Sequence, residues 1–376
     1  MAQDFSNPDS SFQRISRLTP RGAILALIGS EVGATKPRQC ALAQAINLAL
    51  AADIVVSEQP PHPMALRDGF AVAAAALADA GPYAPMPFES PPRRVDAGEA
   101  LPVGTDAVAP LDAIAFRKDR AEAIAAVTPG ESVLPAGGDA AARTPLRRAG
   151  ERLRALDIAV MAAAGVTDVA IRSPRLRIAY ASAAKTSLID AALGMLARFL
   201  VNAGGTVLGA AIPLEEALTD DQADAVIAIG GTGSGRADIS VKTLARLGRV
   251  AAHGIAISPG ETAAFGFVGA RPVLLMPGRL DAVLAVWLLV GRQLVAQLAS
   301  GDVEAMPAIM TLKRKVASTI GLTELVPVRC ADGMAEPLAS GYLSFAVLTR
   351  SDGFIVVPAD SEGFAADTPV AVTPWP

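Results

Sequence analysis

The chain has 376 residues, 52% hydrophobic and 19% charged, which excludes a disordered chain and a single small module and predicts two or three domains. With 33 basic and 37 acidic side chains, a net charge of −4, no concentrated basic run and only 4% aromatics, the chain lacks the phosphate-neutralising surface and stacking platforms of nucleic-acid binders, so no nucleic-acid partner is expected. Two cysteines, Cys40 and Cys330, and two histidines, His62 and His253, are too scattered for a zinc ligand set, and this cysteine usage fits a reducing, cytoplasmic compartment.

Residues 1–20 begin with Asp4, Asn7, Pro8 and Asp9, lack the basic and apolar blocks of a signal peptide, and read as a loose tail. Over 21–52, Ala, Leu and Ile recur at three and four, which predicts two packed helices. Short Val/Ala/Ile runs broken by prolines and glycines from Pro60 to Pro135 predict a small β module. Helical periodicity returns over Glu151–Ala164, closed by Gly165, and a strand is expected over Asp168–Ile171. The expected organisation is a tail (1–20), a discontinuous helical linker domain (21–58 and 135–173) and a β domain (59–134) inserted into it.

Residues 174–303 alternate strictly. Strands are expected over 176–182, 206–211, 224–230 and 254–257, helices over 187–202, 214–221, 238–247 and 280–299, and a hairpin over 263–276. Apolar strands between helices predict a mostly parallel sheet covered on both faces, a doubly wound α/β/α domain. The longest apolar run, Ala282–Gly291, is about half the roughly twenty residues of a membrane span, so it reads as a buried helix and no membrane partner is expected. Over 304–376, the runs TLKRKVAS, ELVPVRC, FAVLT, FIVVPA and PVAVT, punctuated by Asp332-Gly333 and Asp352-Gly353, predict a small C-terminal β-barrel or sandwich built on hairpins.

The sharpest local signal is AVIAIGGTGSGRAD, a buried strand running into Gly230, Gly231, Thr232, Gly233, Ser234, Gly235 and Arg236 before a helix that starts near Asp238. Glycines at a strand-to-helix turn bring backbone N–H groups and a helix N-terminus to an anion, and Arg236 adds a guanidinium. The loop is neither a Walker P-loop nor a dinucleotide fingerprint, and its glycines also suit a plain tight turn. Pro277, Gly278 and Arg279 repeat the geometry before the long helix, and Lys185 precedes the helix that follows the first strand. Asp68-Gly69 alone reads as a turn, His62 as a loop residue more than a base, and His253 as a strand-end surface residue in preference to a ligand contact.

HPMALRDGFAV, AGEALPVGTDAVAP, AVIAIGGTGSGRAD, ISPGETAAFG, LLMPGRLDA and PLASGYLSFAVLTRSDGFIVVPADSEGFAADTPVAV together resemble the molybdopterin molybdenumtransferases, the family of bacterial MoeA and the gephyrin E domain, from about residue 20 onward. The resemblance implies a homodimer with its cleft between the α/β domain of one subunit and the inserted β module of the other. It also implies a reaction that inserts molybdate into adenylylated molybdopterin with magnesium. Residue by residue, the family's Met-Asp-Gly-Tyr-Ala-Val is Arg67-Asp68-Gly69-Phe70-Ala71-Val72, which keeps the aspartate, and its Met-Thr-Gly-Ala is Asp96-Ala97-Gly98-Glu99, which loses the hydroxyl. Its Ser-Thr-Gly-Asp-Glu-Leu falls on Ser182-Ala183-Ala184-Lys185-Thr186-Ser187, without either carboxylate. Its Gly-Gly-Val-Ser-Val-Gly-Glu-x-Asp falls on Gly230 to Asp238, with the glycines and final aspartate kept. Its Lys-Pro-Gly-Lys-Pro becomes Ser258-Pro259-Gly260-Glu261-Thr262, and its Pro-Gly-Asn-Pro-Val-Ser becomes Pro277 to Ala282.

By this carry-over Asp68 and Asp238 are the catalytic candidates, Asp238 is the magnesium ligand, and Lys185, residues 230–236, Pro277, Gly278 and Arg279 hold the pterin ligand. A carboxylate in place of a lysine matters, because a unit-charge pair at 4 Å is worth about 4 kcal/mol at an effective dielectric of 20. The expected function is a divergent molybdenumtransferase-like protein of molybdenum cofactor biosynthesis that binds molybdopterin or its adenylylated form, with lost or altered molybdate insertion. The alternatives are a noncatalytic dimeric scaffold that delivers the cofactor to a molybdoenzyme or other pathway protein, and an active transferase.

Overall fold

The computed structural model describes residues 13–117, 120–181, 186–301 and 307–376. These form two compact units. One comprises the described residues of 1–52, 149–155 and 168–376, the other 53–148 and 156–167.

In the larger unit, apolar residues on consecutive positions of each strand divide between two faces, as the period of two requires. Along Ala225–Ile229, the side chains of Ala225, Ile227 and Ile229 enter one core while Val226 and Ala228 enter another. Leu274 and Met276 share the first core, Val273 and Leu275 the second. The strand order is Thr206–Val207, Arg175–Tyr180, Ala225–Ile229, Arg271–Met276, Ala264–Val268, Arg249–His253. The first four strands run parallel and the last two join through antiparallel pairings, so the expected hairpin and the mostly parallel sheet both form.

Helices Arg21–Glu31, Ser187–Asn202 and Leu280–Ala299 supply the first core, and Leu214–Thr219 and Ser240–Leu247 the second. Ser187–Asn202 buries Ile189, Ala192, Leu193, Leu196 and Leu200, a stripe at helical spacing, and Thr186 caps it by accepting from Ile189 N–H at 3.3 Å. Leu280–Ala299 is long and apolar enough to cross a membrane, yet 83% of its apolar window is buried in this core. Its π turn at Trp287–Gly291 has a steric reason for glycine: a Cβ on Gly291 would lie 2.6 Å from the Trp287 ring.

The C-terminal strands close a five-stranded barrel in the order Thr323–Ala331, Met334–Pro337, Ala308–Leu312, Pro369–Pro374, Gly353–Val357 and back to the first. Leu312, Val326, Val328, Ile355, Val357, Val370 and Val372 fill it. Asp332-Gly333 turns the expected hairpin with both residues at positive φ, 51° and 75°. The barrel sheet continues outward, since Thr323–Ala331 pairs with Ile255–Ser258, which pairs with Thr19–Pro20.

Four local expectations are corrected. Of the two helices expected over 21–52 only Arg21–Glu31 forms as an α-helix, with a single 3-10 turn at Leu42–Gln44; Arg38–Ala41 and Ala49–Leu50 are strands that pair with Asp168–Arg172, whose edges take up their backbone groups. The run FAVLT is not a strand but part of helix Phe345–Arg350, because Ser344 caps it by accepting from Val347 N–H at 3.3 Å. Asp352-Gly353 therefore joins that helix to a strand instead of making a hairpin. Residues 13–20 are not loose: Thr19 N–H donates to Gly254 C=O at 2.9 Å and Gln13 is buried.

The smaller unit centres on strand Gly69–Val72, flanked by Arg94–Val95 and Ala107–Ala109, with a second three-stranded sheet built on the Ile114–Arg117/Arg120–Ala123 hairpin. Phe70, Val72, Leu77, Ala107 and Ile114 are in its core. Helix Ala155–Ala163 buries Asp157, which pairs with Arg147 at 3.5 Å.

Candidate functional site

Parallel strands deliver their carboxyl ends, and the loops that follow, to one edge of the sheet, where ligands of such domains bind. Three described loops meet there. Gly230 N–H donates to Met276 C=O at 2.8 Å, and a Cβ on Gly278 would lie 3.7 Å from Gly230 Cα, so the loops after Ala225–Ile229 and Arg271–Met276 touch. Thr232, 1% exposed, places its hydroxyl 3.0 Å from that of Thr262, which brings in the Ser258–Thr262 loop. Lys185 and residues 182–184 lie outside the described residues, and Thr186 serves as the helix cap.

The glycine-rich loop is shaped by its own polar groups. Gly230 and Gly231 have φ of 96° and 69°, and a Cβ on Gly231 would meet Ser240 Oγ at 2.4 Å. Ser240 Oγ–H donates to Gly230 C=O at 2.6 Å. Asp238 Oδ2 accepts from Gly235 N–H at 2.7 Å, and a Cβ on Gly233 or Gly235 would come within 2.8 or 2.9 Å of that oxygen. Ser234 and Arg236 are exposed at the tip, and among the described residues Arg236 makes no hydrogen bond or ion pair. The retained Asp238 thus tightens the loop. Among the described residues no three His, Cys, Asp or Glu side chains come together, and Asp238, the expected magnesium ligand, has one oxygen engaged by Gly235 N–H.

Arg279 is less available than its position promised. Its Nε donates to Asp281 Oδ1 at 3.0 Å and its terminal nitrogen to Oδ2 at 2.5 Å, and its guanidinium lies 5.0 Å from the centre of the Tyr342 ring. These hydrogen bonds, then the charges of Asp281 and Glu261, hold it still more firmly protonated than an ordinary arginine. Asp281 is 3% exposed and also accepts from Ala282 N–H and Leu343 N–H, which fastens the Gly341–Leu343 segment beside the loops. Glu261 accepts from Gly260 N–H at 3.0 Å and adds a second negative charge near Arg279.

His253 is corrected from a surface residue to a buried one, 2% exposed beneath the loop. Its Nε2 donates to Thr232 C=O at 2.9 Å, while Nδ1 is buried without a partner among the described residues. Burial pushes its pKa below the usual imidazole value, against the opposing effect of that hydrogen bond, so the ring is neutral at pH 7.

In the smaller unit Asp68 is exposed at the start of Gly69–Val72 and accepts from Ala97 N–H at 2.9 Å, so two segments singled out in the sequence, 67–72 and 96–99, touch. Gly69 does more than turn: a Cβ there would meet Ala109 C=O oxygen at 2.3 Å. Sequence reading missed Gln13, whose amide reaches the glycine-rich loop and the helix after it. A lone glutamine in a polar stretch carries no periodicity or motif that would single it out.

The chain combines a doubly wound domain carrying this loop cluster, a small β unit and a closed barrel, and comparison with known proteins gives the family. Residues 16–165 match the MoeA N-terminal region (domain I and II), 186–297 the probable molybdopterin binding domain and 310–375 the MoeA C-terminal region (domain IV). The chain belongs to the MoeA family of molybdenum cofactor biosynthesis proteins. A provisionally named molybdopterin biosynthesis protein of Methanocaldococcus jannaschii is 32% identical over 145 residues, a match that spans 38% of this chain and 34% of that relative. The fold is that of a molybdopterin biosynthesis moeA protein from Pyrococcus horikoshii OT3, with a TM-score of 0.79, 21% identity and coverage of 96% of this chain and 100% of that one. A molybdenum cofactor biosynthesis protein from Pyrococcus furiosus matches with a TM-score of 0.61 at 20% identity, over 96% of this chain and 100% of that one.

Proposed function

We infer that this protein binds molybdopterin or its adenylylated form at the loop cluster of the α/β domain and that its molybdate insertion is lost or altered. The observation that carries this reading is the charge arrangement. Ser258 and Glu261 stand where the family pattern has lysines, and the carboxylates of Asp281 and Glu261 offset Arg279. Arg236 is the exposed cation on the glycine-rich loop that remains for an anion. Loop amides, Arg236 and the exposed Ser234 hydroxyl suit a phosphate-bearing ligand. The same set offers a molybdate dianion little compensation, and no catalytic step is assigned to magnesium, for which Asp238 is a single, partly engaged carboxylate. Asp68 enters the reading through the family resemblance, as the residue that a second subunit's β module would bring to the cleft of a cytoplasmic homodimer.

The test is turnover. Given adenylylated molybdopterin, magnesium and near-physiological molybdate, the purified protein should release little or no AMP while still binding the nucleotide. The combined variant Lys185→Asp, Thr186→Glu, Ser258→Lys and Glu261→Lys should recover some release, whereas single reversions should not, since groups that act together are not additive. Robust molybdate-dependent AMP release by the unmodified chain would return it to an ordinary transferase.

A further inference from the structure

The helix Ser240–Leu247 presents its first amides to the glycine-rich loop, and those amides are already taken. Val241 N–H and Lys242 N–H donate to Gln13 Oε1 at 2.8 and 3.2 Å. Gln13 Nε2 donates to Gly231 C=O and Gly233 C=O, both at 2.9 Å. The amide can sit only this way round, because turning it over would set oxygen against two carbonyls and nitrogen against two N–H groups. The side chain is 4% exposed and uses all four of these hydrogen bonds on groups 218 to 229 residues away. The segment behind it is anchored too: Ile15 and Leu18 pack where a Cβ on Gly254 would fall, and Thr19–Pro20 pairs with Ile255–Ser258. Arg14 and Arg17 between these anchors are exposed.

We propose that the segment Gln13–Pro20 is an intramolecular latch, in which the Gln13 amide occupies the place of a ligand oxyanion on the loop and must withdraw before the ligand's phosphate group seats there. This rests on the assignment of the loop as the ligand site and adds its regulation. A ligand phosphate oxygen has the acceptor chemistry of Gln13 Oε1, so the two compete for the Val241 and Lys242 amides. Two states follow: latched, with the loop satisfied internally, and open, with the amides on the ligand and the N-terminal segment released. Apparent affinity is then reduced by the fraction of chains that are latched.

The test uses the full-length chain and inorganic pyrophosphate. By calorimetry Gln13→Ala should bind pyrophosphate about tenfold more tightly than the unmodified chain, on the scale of two released hydrogen bonds. In the unmodified chain, saturating pyrophosphate should speed tryptic cleavage after Arg14 and Arg17 severalfold, read by mass spectrometry of the released N-terminal peptide. This second arm needs no variant and decides the matter if Gln13→Ala does not fold. Equal or weaker binding by Gln13→Ala, or cleavage that pyrophosphate leaves unchanged or slows, overturns the latch while leaving the ligand site standing. Absence of pyrophosphate binding by both folded chains overturns the site assignment and the latch together.

Discussion

Glu261 shows how one side chain redirects a loop: it turns back onto Gly260 N–H and lends its charge to Arg279, so the Ser258–Thr262 loop attracts a cation where an anion would need one. Arg236 carries the complementary role. Its replacement in Arg236→Glu should abolish the ligand-induced rise in melting temperature, which for the unmodified chain corresponds to about 2.7 kcal/mol at a ligand concentration a hundred times Kd. An unchanged rise would make the loop purely structural. His253 gives a prediction in pH. The unfolded chain titrates this ring at about 6.5, and burial holds the folded value lower. Between the two values the unfolded state binds more protons, so His253 makes stability fall as pH drops below about 6.5, by at most about 1.4 kcal/mol per unit. His253→Gln keeps a donor for Thr232 C=O and loses the titration, so its melting profile should be flatter between pH 6.5 and 5; superimposable profiles would refute the assignment.

Among the elements, glycines divide into those the geometry demands and those it merely tolerates. Gly231→Ala sets a Cβ against Ser240 Oγ at a φ of 69° and should cost about 1–3 kcal/mol in chemical denaturation, with loss of the Ser240 bond to Gly230 C=O. Gly194, exposed inside Ser187–Asn202 with nothing within 4 Å of its Cβ position, should behave oppositely, Gly194→Ala adding about 0.5–1 kcal/mol. If both substitutions shift stability the same way, the distinction fails. The alternating strands and the stripe of Ser187–Asn202 were legible because the periods of two and 3.6 are written in the chain. The helix Phe345–Arg350 was not, since six residues hold too few periods to separate from a strand and the deciding signal is the Ser344 cap. The burial of His253 was equally hidden, because its partner, the Thr232 carbonyl, belongs to another loop that no local pattern around His253 reveals.

For the whole molecule, the family and the barrel were readable from motif order, whereas the attachment of residues 13–20 was not, because its partners are more than two hundred residues away. If the β module completes a neighbour's cleft, light scattering at micromolar concentration should give about twice the mass of one chain, and a single-chain mass would contradict the proposed assembly. The seven-stranded sheet that contains the barrel begins at Thr19–Pro20 and includes Pro369–Pro374. Its consequence lies in biosynthesis. On the ribosome, the strand Thr19–Pro20 emerges early and must wait for Ile255–Ser258, and the barrel cannot close until Pro369–Pro374 has left the exit tunnel. Contacts of such long sequence separation form slowly, so the smaller unit, whose strand pairings join nearer neighbours, should gain protease resistance on nascent chains well before the N-terminal segment does.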